Sequence, residues 1–356
     1  MSNNQLYSAL KSFYFPERLD DIRLGQVPAP VHVRIKPTNL CNYSCWYCAY
    51  RTDALELGAG MSEADSLPTA KMFEIVRDII EMDVKAVTFS GGGEPLLYKP
   101  LPDIITALGN AGVKISLLTN GANLQGRFAD ALGAHATWVR ISMDGWDDAS
   151  HAQARAAAPS DFSKIIANID AFTRAAPQCV VGVSFIIGEA NHRHIVDICQ
   201  LLKTSGVQHV KLSAAVVAND RARNNAYHAP LLGPVRSQIK RAQALEDANF
   251  RIANHYHLMD TRFDKPYNGC PSAKLLTVIG ADQSVYTCQD KAYTTEGCLG
   301  SIRNLSFKEF WFSDANRQRL QSINPRADCR HHCVSHAKNL NISEFLNLDH
   351  GHLTFV

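Results

Sequence analysis

The stretch VHVRIKPTNLCNYSCWYC, residues 31–48, decides how the rest of the chain is read. Its first part alternates apolar and polar residues in the manner of a strand. Its second part places Cys41, Cys45 and Cys48 in a C-x3-C-x2-C loop directly after that strand. Outward from it, residues 31 to about 215 alternate short β-rich runs with helical patterns, the signature of βα units around a parallel sheet. Six strands are expected, starting at Val31, Lys85, Lys114, Thr137, Cys179 and His209. Helices separate them, such as AKMFEIVRDIIEM from Ala70, where Met72, Ile75, Ile79 and Ile80 recur at helical spacing.

Side chains two apart on a strand point the same way, and one face of these strands is repeatedly polar. Arg34 and Lys36 share it on the first strand, Thr88 and Ser90 on the second, Arg140, Ser142 and Asp144 on the fourth, and His209, Lys211 and Ser213 on the sixth. A doubly wound sheet is apolar on both faces. A sheet curled into a full or partial barrel, with its polar face inward around a hydrated ligand site, fits better.

With 356 residues, 46% of them hydrophobic, the chain can bury a large core and a smaller second one. Its 36 Lys and Arg against 34 Asp and Glu leave a net charge of +2 with no basic block, which argues against a general nucleic-acid or membrane-surface binder. No apolar run is long enough to cross a bilayer, and the polar start lacks a signal-peptide core, so a cytoplasmic location is expected. In that reducing setting ten cysteines point to metal binding or catalysis rather than disulfides. Cys179 and Cys199 fall within strand and helix patterns and read as buried small hydrophobes.

Three thiolates from one loop can hold three irons of a cubane [4Fe-4S] cluster and leave the fourth iron open. Closed structural zinc wants four ligands, and no fourth Cys or His lies close by in this loop. The second strand ends in Ser90-Gly91-Gly92-Gly93-Glu94-Pro95, a glycine-rich turn that alone means little.

Together these two motifs resemble the radical S-adenosylmethionine (radical SAM) superfamily, in which an aromatic residue, here Tyr47, precedes the last loop cysteine. The resemblance extends to LTNG (Leu118 to Gly121, including Asn120) and SMDG (Ser142 to Gly145, including Asp144), and covers roughly residues 30 to 215. It implies an α/β fold with a partial (β/α)6 TIM-like barrel, and a [4Fe-4S] cluster bound to S-adenosyl-L-methionine. It further implies that Gly91, Gly92, Gly93, Glu94 and Pro95 hold the methionine amino group, with Ser142 a ribose contact. The activity it implies is reductive formation of a 5'-deoxyadenosyl radical that abstracts a hydrogen atom from a substrate.

Cys270, Cys288, Cys329 and Cys333, together with the hairpin sequence KLLTVIGADQSVYTC, resemble the auxiliary-cluster extensions called SPASM and, in shortened form, twitch domains. The resemblance implies that these four cysteines hold one auxiliary [4Fe-4S] cluster in a small α+β domain, with Cys298 a substitute. A structural zinc on the same residues is the alternative, and His331, His332 and His336 are further ligand candidates. Asp282 and Gln283 occupy the expected hairpin turn, and Gln283 stands where the family usually has glycine. The implied organisation is an N-terminal extension over 1–30, the barrel over 31–215, a connection over 216–265, the cluster domain over 266–340 and a tail over 341–356.

A fully ligated second cluster would accept electrons, which favours a two-electron oxidation. If Cys298 instead faces the barrel as a hydrogen donor, the outcome is epimerisation. Arg34, Lys36, Arg140 and Lys211 suit carboxylate or phosphate groups, so the expected substrate is a polar, anionic small molecule such as a sugar, aminosugar, cyclitol or nucleotide-linked sugar, with Arg140 and Lys211 touching it. Asn224, Asn225, Tyr227, His228, His255, Tyr256 and His257 are available to cover the barrel mouth. A flavodoxin- or ferredoxin-type protein is the expected electron donor. A peptide maturase and a non-catalytic metal-binding protein are the competing functions.

Overall fold

A computed structural model of the chain describes residues 7–52, 55, 58–256, 262–352 and 354–355. Ten strands form one sheet: β1 (His32–Ile35), β2 (Ala86–Phe89), β3 (Lys114–Thr119), β4 (Ala136–Ser142), β5 (Val180–Ile187), β6 (His209–Ala214), β7 (Arg251–Asn254), β8 (Leu276–Ile279), β9 (Ser284–Tyr286) and β10 (Cys298–Ser301). Their spatial order is β10-β9-β8-β1-β2-β3-β4-β5-β6-β7. All pairs from β8 through β1 to β7 are parallel, and the β8-β9-β10 end is antiparallel. The six strands read from the sequence are β1–β6. The FRIANHYH segment supplies a seventh parallel strand, and the C-terminal hairpin joins the opposite edge, Arg34 facing Val278.

The sheet is curled. Laid flat, β1 and β6 would stand about 24 Å apart at the usual strand spacing, yet Arg34 on β1 lowers the basicity of Lys211 on β6 by repulsion. Outward residues such as Val33, Ile35, Val139, Ile141, Val183, Phe185, Val210 and Leu212 are fully buried under the surrounding helices. Their inward neighbours Arg34, Arg140, Ser142, Ser184, Lys211 and Ser213 remain partly exposed, as expected of a hydrated lumen. In the helix Thr69–Glu81, Met72, Ile75, Val76 and Ile79 form the buried stripe. Ile80 was expected there too but faces outward, 41% exposed, because Val76 sits nearer the centre of the apolar arc. Cys179 and Cys199 are buried in the core.

At the N-terminal end of the barrel, Leu19 and Ile22 of the helix Pro16–Arg23 pack with Leu275 and with Ile342 of the helix His336–Leu346. The segment before them carries Tyr7 into the lumen, where its ring meets His209 and His255 edge to face. Among the described residues no helix is long and apolar enough to cross a membrane.

Candidate functional site

The cysteine loop leaves the top of β1 and is fastened to the helix Asp148–Arg155. Ser44 donates its backbone N–H to the Arg155 carbonyl at 2.9 Å, and the Tyr43 hydroxyl donates to Asp161 at 2.9 Å. Cys41, Cys45 and Cys48 are all half-buried and unbridged. Burial pushes the Cys45 thiol up to about 11 and raises Cys41 as well, so loading a metal centre there displaces protons.

The glycine-rich turn exists because the cysteine loop presses against it. A Cβ on Gly93 would lie 1.9 Å from the Leu40 carbonyl oxygen, and one on Gly92 would lie 2.1 Å from Asn39 Oδ1. None of the three glycines has a positive φ, so the requirement is space rather than backbone conformation. Glu94 is wholly buried and engaged: Oε1 accepts from the Thr119 hydroxyl at 2.6 Å and the Leu96 N–H at 3.0 Å, and Oε2 accepts from the Asn120 N–H at 2.7 Å. It therefore locks the turn to β3, and Pro95 starts the short 3-10 turn that follows. Asn120 donates to the Asn42 side chain at 2.8 Å, which ties LTNG to the cysteine loop.

Sequence reading missed Arg155. Its guanidinium is buried and bonds Asp144 and the Tyr47 hydroxyl, with Nη1 3.6 Å from Cys45 Sγ. Burial opposes its charge, but Asp144 and Tyr47 outweigh that and hold it above the ordinary range. Asp144 also accepts the Ile186 N–H at 2.9 Å and is bonded by Tyr47, so the tyrosine and aspartate flagged by motif form one network with this arginine. Nothing in DASHAQAR marks Arg155 as other than a solvated helix residue; the signal is its distance of one helix length from SMDG. Ser142 stands beside Ser184 on the lumen face.

Lys36, next on the wall, is buried and donates to the Gly91 carbonyl and the Tyr50 hydroxyl, both at 2.7 Å. Burial and then Arg34 pull it down to about 7. The Tyr50 hydroxyl in turn donates to the Gln289 carbonyl at 3.1 Å, linking the barrel to the C-terminal part. Tyr293 makes a second link: in a left-handed conformation (φ 64°), it donates to Asn39 Oδ1 at 2.6 Å.

Cys270, Cys288, Cys329 and Cys333 line a single cavity of about 50 Å³ together with Lys265, Lys291, His331 and Asn339. Asn339 Nδ2 donates to Cys270 Sγ at 3.4 Å, the kind of amide support a metal-bound sulfur takes. Burial raises the thiols of Cys288, Cys329 (about 11) and Cys333 (about 12). Around one zinc ion four sulfurs would sit about 3.8 Å apart, from Zn–S bonds near 2.3 Å. Among the described residues the group of three ligand-type atoms within 4.8 Å of one another is Cys288, Asp290 and His331. His332 packs on Phe263, and His336 Nδ1 lies 3.3 Å from the Tyr267 hydroxyl.

Cys298 does not line this cavity. It pairs with Tyr286 across β10 and β9 and packs against the buried cluster of Val278, Tyr286, Ala292 and Tyr293. The proposed mouth residues are mostly structural. Asn224 caps Val217 and bonds the Ala218 carbonyl, and His228 sits between the Tyr256 hydroxyl and the Ala215 carbonyl. His257 lies outside the described residues.

Residues 35–202 match the family described as the radical SAM superfamily. Over 108 residues the chain is 32% identical to an S-adenosylmethionine-dependent nucleotide dehydratase of Lacinutrix mariniflava, covering 30% of this chain and 22% of that one. It is similar over longer stretches to probable GTP 3',8-cyclases, 29% identical over 176 residues to that of Methanosarcina acetivorans, with 49% of this chain and 51% of the other covered. The chain thus spans about half or less of the curated relatives it matches. Among solved structures, SuiB of Streptococcus suis bound to S-adenosylmethionine superposes with a TM-score of 0.61 at 15% identity, over 80% of this chain and 66% of that one. At that identity the likeness speaks to the fold.

Proposed function

We propose, for a chain whose residues 35–202 form a radical SAM domain, that it is an oxidoreductase acting on a polar, anionic small molecule such as a sugar, aminosugar, cyclitol or nucleotide-linked sugar. Cys41, Cys45 and Cys48 would hold the cluster that meets S-adenosyl-L-methionine, and Cys270, Cys288, Cys329 and Cys333 an auxiliary one. When bound, the first supplies a 5'-deoxyadenosyl radical and the second an electron acceptor.

The protein's own share is orientation and exclusion of water. Arg155, 3.6 Å from the Cys45 sulfur and locked by Asp144, offers a positive charge to the methionine carboxylate. Gly91, Gly92 and Gly93 leave backbone open beside the loop, and Ser142 faces the lumen as a ribose contact. Arg140 and Lys211 face the same lumen and are suited to hold the substrate's anionic group. Loss of a hydrogen atom, then of a proton and an electron, takes a carbinol carbon to a carbonyl, a net two-electron oxidation. The observation that carries oxidation over epimerisation is the cavity shared by the four C-terminal cysteines, while Cys298 is packed among tyrosines. The barrel over 31–215 and the cluster domain over 266–340 are the proposed units, served by a flavodoxin- or ferredoxin-type electron donor.

A second reading of the C-terminal site, a single metal ion, rests on the close approach of Cys288, Asp290 and His331. Iron content and reductant-dependent release of 5'-deoxyadenosine, compared between anaerobically reconstituted wild type and a Cys41/Cys45/Cys48→Ala variant, test both. About eight irons falling to about four, with cleavage lost, supports two clusters. About four falling to none, with zinc present, replaces the auxiliary cluster by the single-ion reading and removes the argument for oxidation. Iron-loaded wild type that releases no 5'-deoxyadenosine refutes the function.

A further inference from the structure

The lumen below Lys36 is positively charged and has almost nothing to balance it. Arg34 on β1, Arg140 on β4 and Lys211 on β6 all point inward, from strands on different sides of the curled sheet. None of the three lies within 4 Å of a carboxylate among the described residues; their contacts are of other kinds. Nε of Arg34 and Nε of Arg140 are buried without a hydrogen-bond partner. Arg140 reaches the Tyr7 hydroxyl at a long 3.5 Å and covers the Trp138 ring at 5.6 Å, and the Lys211 ammonium lies 5.5 Å from the Tyr7 ring centre.

We propose that this lumen binds a phosphoryl group between Arg34, Arg140 and Lys211, so that the substrate is a phosphorylated small molecule. The inference rests on the reading of the lumen as the substrate chamber and narrows it.

Three considerations support it. The first is charge. Burial and then mutual repulsion hold Arg34 down to about 10 and Lys211 down to about 7, with Asp290 the carboxylate that offsets both. A buried charge without a partner is costly, and a site that retains several is built for an anion that arrives with the ligand. A carboxylate brings one negative charge, whereas a phosphoryl group brings about two. The second is donor geometry. Two planar guanidinium forks and one ammonium converging from three strands match a tetrahedral anion with three free oxygens, while a flat carboxylate is filled by one fork. The third is the rest of the wall. Ser142, Ser184 and Ser213 are neutral hydroxyls, and His32, Thr88 and Ser116 form a closed chain of hydrogen bonds at 2.7 Å each, so the remaining surface competes little for the charge.

Position adds a size limit. Arg34 lies two residues before Lys36 on the same strand, a step of about 7 Å, and Lys36 is bonded to the glycine-rich turn. Tyr7 lies against two of the cations, its hydroxyl near Arg140 and its ring near Lys211. The phosphoryl end therefore sits at the floor and the reacting carbon one such step above it, a span suited to a monosaccharide phosphate.

The test uses anaerobically reconstituted holoprotein and inorganic phosphate as the probe, with acetate and chloride at matched ionic strength, read as the shift in melting temperature. Phosphate is expected to raise the melting temperature saturably, acetate much less. Arg140→Met and Lys211→Met are each expected to weaken the apparent phosphate affinity at least tenfold and, without phosphate, to melt above wild type, since each relieves the repulsion among the three cations. Arg140→Lys, which keeps the charge but loses the fork, is expected to fall between. The proposal fails if acetate stabilises as well as phosphate, or if the variants respond to phosphate as wild type does. Release of 5'-deoxyadenosine by the same wild-type preparation separates the two ideas. Cleavage without a phosphate response overturns the phosphoryl site alone, and absence of cleavage overturns the functional reading whatever phosphate does.

Discussion

Gly93→Ala puts the packing of the glycine-rich turn to a direct trial. The added methyl would stand 1.9 Å from the Leu40 carbonyl oxygen, 2.4 Å from its carbon and 2.5 Å from the Asn39 carbonyl carbon. All three are backbone atoms, so no rotamer change relieves the clash. Carbon and oxygen need more than 3 Å, so the loop must retreat by more than an ångström. That retreat breaks two bonds holding turn to loop, Glu94 N–H to the Leu40 carbonyl at 2.7 Å and Gly93 N–H to the Thr38 carbonyl at 3.2 Å. Overpacking costs about 1–3 kcal/mol and each lost bond about 1 kcal/mol, so a destabilisation of about 3–5 kcal/mol is expected. At about 2 °C per kcal/mol for a chain this large, the melting temperature falls by about 6–10 °C. Because Leu40 adjoins Cys41, iron bound per chain falls with it. Calorimetry and iron assay of Gly93→Ala are compared with Gly233→Ala, whose new methyl meets nothing within 4 Å. A Gly93→Ala protein that melts with wild type and keeps its iron, or a Gly233→Ala protein that loses as much, refutes the reasoning.

Two further outcomes are expected. Gln283 sits at φ 65°, a region that costs a side chain about 1 kcal/mol or more, so Gln283→Gly should stabilise the chain by about 0.5–1 kcal/mol after glycine's own entropy cost; a lower denaturant midpoint would contradict this. Lys211 is held down to about 7 by burial and by Arg140, Arg262 and Arg34, against an ordinary value of 10.5. A folded value below the unfolded one makes the folded state shed protons as pH rises, so stability should climb between about pH 7 and 10 and be lowest below that window. Lys211→Met should flatten part of this climb, and an unchanged profile in melts across that range would contradict the assignment.

The barrel was legible because its strands obey a strict two-residue rule: Arg34, Arg140 and Lys211 each lie between residues that the core buries completely. The cysteine and glycine motifs were legible because each is contiguous. What was hidden depends on approach between distant segments. The four residues of β8 carry no mark that they pair with β1, and Tyr7 lies in a polar start that reads as surface. Arg155 reads as an exposed helix residue until Asp144 and Tyr47 close around it. The reverse error arose with Asn224 and His228, polar residues in a loop-like run that the fold uses as internal braces.

The pairing of β8 with β1 also bears on how the protein is made. During synthesis one edge of β1 stays without its neighbour until the chain has been extended past Ile279, on the order of ten seconds or more at ribosomal rates. Throughout that interval the strand that carries the cysteine loop has a free row of backbone donors and acceptors. Premature termination before Leu276 would leave that edge open for good, a template for aggregation beside the cysteine loop.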